Sequence, residues 1–119
     1  MLNLKDELVS ALATATALTT LISDRLFFQY PSSFNALPCI SYYQVDNIPS
    51  LYTDDIEAGS EIVFRVDLWS KASLTEIAGI VDGLLVAKEY TRRGCPDLYE
   101  KDTGIYHTAM TYAKSAYAT

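Results

Sequence analysis

The residues from Glu61 to Lys88 constrain the fold most, because a strand pattern passes within a few positions into a helix pattern. Ile62, Phe64, Val66 and Leu68 alternate with Glu61, Val63, Arg65, Asp67 and Trp69. That two-residue period belongs to a strand with one buried face. Ser73 and Glu76 then stand at capping-box spacing, where hydroxyl and carboxylate can each satisfy an orphan backbone donor. From Leu74 to about Glu89, Ile77, Ile80, Val81, Leu84 and Leu85 recur at helical spacing. The pair predicts a strand covered by a helix.

The same helix carries Gly79, Gly83 and Ala87 four residues apart. Two interior glycines cost about 2 kcal/mol against alanine, so this small face is expected to let another backbone approach closely. Either the sheet or a neighbouring subunit can supply that backbone. The membrane use of such spacing requires a spanning helix. Half the residues are apolar, but no run approaches the roughly 18 that a span needs.

Upstream, Asn3 is placed to cap a first helix with Asp6 and Glu7 in its opening turn, and Leu4, Leu8, Ala11, Leu12 and Ala15 form its stripe. Branched threonines interrupt it, and Thr16 is read as capping a short second helix. Strands are expected at Asp24 to Tyr30, closed by Pro31, and at Cys39 to Val45. Asp46 to Ser60, with Pro49 and four acids, reads as the longest irregular segment. Such a length marks either a solvated hairpin excursion or a contact loop. Its candidate contact residues are Tyr52, Asp54, Asp55 and Glu57. Two last strands, Asp97 to Lys101 and Ile105 to Tyr117, are joined through Gly104. The expected fold is α+β, a mainly antiparallel sheet of about five strands with an N-terminal helix and one long central helix. It fills a single domain over residues 1–119.

The sequence offers little chemistry. His107, the one histidine, has no ligand or triad partner nearby in sequence. Cys39 and Cys95 lie far apart and read as packing thiols. Asp54 and Asp55 read as solvated acids, and the Arg92-Arg93 pair is too small to offset fifteen acidic against nine basic residues. No catalytic, cofactor or metal site is expected. A net charge of −6 repels phosphate backbones, so duplex nucleic acid is not an expected ligand. The N-terminal residues lack the pattern of a secretory signal, so folding in a cytoplasm is expected.

The order of several segments resembles the tail-completion, or tail-terminator, proteins of long-tailed bacteriophages and prophages. These are Ser23-Asp24-Arg25-Leu26 after a helix, Leu37-Pro38-Cys39-Ile40-Ser41-Tyr42, Phe64-Arg65-Val66-Asp67-Leu68-Trp69-Ser70 running into a helix, and Asp102-Thr103-Gly104-Ile105-Tyr106-His107. The likeness spans nearly the whole chain; the last strand departs from it in being richer in alanine. It implies a non-enzymatic virion protein of the tail or neck, assembled in the host cytoplasm. Such a protein forms a hexameric ring that caps the head-proximal end of the tail tube and presents a joining surface. Its implied partners are copies of itself, the tube protein and head–tail connector proteins, with DNA passing through the ring unbound. Another neck component, or an unrelated small α+β ligand-binding domain or enzyme, is the alternative.

Overall fold

The computed structural model describes residues 1–118. Helices α1 (Lys5–Ala13) and α2 (Thr16–Ile22) precede strands β1 (Leu26–Phe28), β2 (Cys39–Thr53) and β3 (Ile56–Ser70). Helix α3 (Thr75–Ala87) and strands β4 (Thr91–Gly94), β5 (Asp97–Glu100) and β6 (Ile105–Tyr117) follow. The sheet runs β1-β2-β3-β6-β4, with β5 also paired to β6. Only β1 and β2 are parallel, so this is an α+β fold with a mixed, mostly antiparallel six-stranded sheet.

The alternation in β3 faces as its pattern predicts. Ile62, Phe64, Val66 and Leu68 are fully buried beneath the helices, together with Ile40, Met110 and Tyr112 from neighbouring strands. Leu8, Leu12, Leu18 and Ile22 cover them from α1 and α2, and Ile77, Val81 and Leu85 from α3. Filling this layer removes most large apolar side chains from water, at about 1.5–3 kcal/mol each. On the opposite face Cys39, Trp69 and Ile105 form a smaller cluster beneath Phe27, Phe34 and Leu37. The alanines of β6 are consistent with its place inside the sheet between β3 and the β4–β5 pair, where Ala109 and Ala113 are buried.

Several local expectations shift. Leu4, not Asn3, takes the N-cap position of α1, and Asn3 stands one residue outside, its side chain accepting from Lys5 N at 2.8 Å. Ala15, not Thr16, stands at the start of α2 and makes no side-chain cap, so the break falls as expected but the cap does not. The Ser73–Glu76 capping box does not form. Buried Leu74 takes the N-cap position, which leaves Ser73 one residue outside, accepting from Thr75 N at 3.3 Å.

The largest correction concerns Asp46 to Ser60, which is not irregular. β2 and β3 continue through it as one antiparallel hairpin, with bulges between Gln44 and Asp46 and again after Pro49. The first strand is correspondingly shorter than expected, and Thr91–Gly94 is a strand where the sequence pointed only to a basic turn.

Candidate functional site

The hairpin reverses through Asp54 and Asp55, whose φ values of 51° and 64° lie in the left-handed region. Two such residues make a mirror-image turn whose twist matches the strands, and aspartate tolerates that backbone better than most residues. Each strand is 15 residues long, a span of about 50 Å at the usual rise, and the molecule extends 53 Å along its longest axis. β6 ends its pairing opposite Gly59, so the tip of the ribbon has only two strands.

Tyr52 and Ile56 are 60% and 70% exposed at this tip, and Val45, Ile48 and Leu51 are about half exposed along β2. The sequence analysis singled out Tyr52 but missed the four aliphatics, because no buried face imposes alternation there. Gly59 explains the close fit of strand to strand. A Cβ at that position would lie 3.1 Å from the Leu51 Cβ and 3.2 Å from the Tyr117 ring.

Of the four tip candidates, Tyr52, Asp54 and Asp55 face solvent. Glu57 serves its own chain instead. Its carboxylate accepts from Ser60 Oγ at 2.5 Å and from Leu2 N at 3.1 Å, while Asn47 Nδ2 donates to Leu2 O at 2.8 Å. These bonds, the Ser60 hydroxyl foremost, hold the Glu57 carboxyl below its ordinary value. The N-terminal segment is thereby pinned across the ribbon between Asn47 and Glu57.

Gly79, Gly83 and Ala87 do not press on the sheet. All three lie on the exposed face of α3, and nothing stands within 4 Å of a Cβ built on either glycine. The apolar stripe of Ile77, Val81 and Leu85, two positions away, takes the core contacts, so spacing alone could not tell which face turned inward.

The face of the sheet away from the helices carries a cluster that the sequence did not reveal. The His107 ring stacks on Trp69 with centroids 3.8 Å apart, and its Nε2 lies 2.7 Å from Asp67 Oδ1. Trp69 donates from Nε1 to Ser41 Oγ at 3.0 Å, and Tyr30 and Phe34 pack edge-on against its ring. Register across β3 and β6 brings these residues together, as Trp69 pairs with His107. Among the described residues no three His, Cys, Asp or Glu side chains converge as a metal set. A shallow groove of about 560 Å³ opens between the start of α3 and the β5–β6 pair. Burial pushes the nearby Cys95 thiol up, which disfavours a nucleophilic role.

Among the described residues, exposed apolar side chains concentrate on a ribbon that projects beyond the helices. Residues 6–114 match the family described as Tail completion protein gp17. The chain belongs to that family, which is structural rather than enzymatic and contributes to the phage tail. No curated protein matches the sequence significantly.

Proposed function

We propose that this chain caps the head-proximal end of a phage tail tube. There it stops tube growth and forms the head–tail joining surface as a ring, with six copies the expected number. The observation that carries the reading is the β2–β3 hairpin, which exposes Tyr52 and Ile56 at the end of a ribbon anchored in the core. Large apolar side chains left exposed on a segment that projects from a well-packed domain mark an interaction site. The hairpin tip is assigned to the tube or connector contact, with Asp54 and Asp55 flanking it.

The charge fits a conduit. Between Arg25 and Arg65 there is no lysine or arginine, while Asp46, Asp54, Asp55, Glu57 and Glu61 all fall in that interval. A lining of this kind repels phosphate, so DNA would slide through without sticking.

The test is tube assembly in vitro. Added to polymerising tube protein, the chain should shorten the length distribution and leave one end of each tube closed. Tyr52→Asp with Ile56→Asp should abolish this while circular dichroism stays unchanged, because both side chains are exposed. Tubes of unaltered length with the natural chain present would refute the capping role.

A further inference from the structure

Pairing registers allow the two borders of the sheet to be compared level by level. Phe28 aligns with Tyr42, Val66 and Met110, and Leu26 aligns with Ile40, Leu68, Thr108 and Asp97. Gln44 aligns with Phe64, Tyr112 and Arg92, and Asp46 with Val63, Ala113 and Thr91. One border consists of β1 and the free edge of β2; the other consists of β5 and β4.

Each border is apolar over one part and charged over the next, in the same direction. On the first, Phe28 and the neighbouring Tyr30 are 54% and 61% exposed; on the second, Leu98 and Tyr99 are 51% and 53% exposed between the exposed acids Asp97 and Glu100. Beyond them the first border presents Asp46 and then the hairpin acids, in a stretch without cations. At that level the second presents Arg92 and Arg93, with Lys88 close in sequence. Both arginines already meet carboxylates of their own chain, Asp82 and Glu61, but each remains about half exposed. A guanidinium carries five donors, so each retains capacity for another acid.

We infer that the β1–β2 border of one copy docks on the β5–β4 border of a second copy, apolar part on apolar part, with Asp46 facing Arg92. The inference rests on the self-assembly proposed above and adds the surfaces that perform it. Like borders are a poor match, because acids would then meet acids and arginines meet arginines. Unlike borders give a head-to-tail contact that can close into a ring. The four half-exposed side chains, two on each border, supply about 400 Å² of contact, and the flanking charged stretches bring in the rest of the roughly 1,000 Å² of a specific interface. Pro49 and the bulges blunt the free edge of β2, so side chains rather than a continuous ladder make the contact.

Cys95 offers a direct test. It is exposed and falls at the level of Phe28, whereas Cys39 is buried. Full-length protein carrying F28C has one accessible thiol on each border. Copper-phenanthroline oxidation at high concentration, with and without tube protein, should give a ladder of covalent dimers, trimers and larger species. Adding C95S should reduce the ladder to dimers at most. No ladder under either condition, or one that survives C95S, overturns the inference. By sedimentation, R92E should weaken self-association about tenfold or more, and D46R added to it should restore most of the loss. Absence of rescue also overturns it. Intact ladders without tube capping would instead sink the terminator reading and leave the borders standing.

Discussion

At the scale of single residues, Glu57 shows how a side chain chosen for contact can be consumed within its own chain. Its bonds to Ser60 and Leu2 favour the ionised form, so the folded carboxyl titrates below its ordinary value of 4.5. A group whose folded pKa is depressed adds stability above the unfolded value and loses it as pH falls through the folded one. Acid titration of unfolding should therefore show a loss beginning near pH 4.5, which Glu57→Gln removes. Profiles of the two proteins should meet at the acid end, and parallel profiles would show that the bonds contribute nothing. Glu57→Gln should also loosen the N-terminal segment, read as faster amide exchange at Leu2.

At the scale of elements, α3 carries its glycines on the open side. Because no atom stands near a Cβ at either site, Gly79→Ala and Gly83→Ala should each stabilise the isolated chain by about 0.5–1 kcal/mol in denaturant unfolding. A stabilised variant that still assembles would show that no neighbouring subunit presses on this face; a stabilised variant that fails to assemble would show that one does. The legibility of the elements follows the same physics. β3 could be read from Glu61 to Trp69 because one face is buried, which forces the alternation. The stretch from Asp46 to Ser60 could not, because most of its side chains are exposed and three register shifts break the phase. β4 is exposed over most of its length and pairs on one side only, so its sequence Thr91-Arg92-Arg93-Gly94 carries no period to detect. The tip contacts were legible only as residue types, and the borders only after register was known.

At the scale of the whole molecule, two thiols report on different events. Burial pushes the Cys39 thiol up to about 11, and its side chain is 1% exposed beside Trp69. Cys95 lies at the surface between β4 and β5. A thiol reagent should modify the exposed Cys95 of the native chain well before the buried Cys39. The second should react only at the rate of global opening, rising with denaturant in step with loss of Trp69 fluorescence. Rapid modification of both would show that the sheet opens locally at the start of β2.

The rails of the hairpin are the same strands that form the middle of the sheet, and the Leu2 clasp braces them where they leave it. No loop interrupts either strand between the sheet and the turn. Such a ribbon behaves as a stiff gauge, holding whatever it touches at a fixed reach. A pull or push at its end is therefore passed straight to the packed helices.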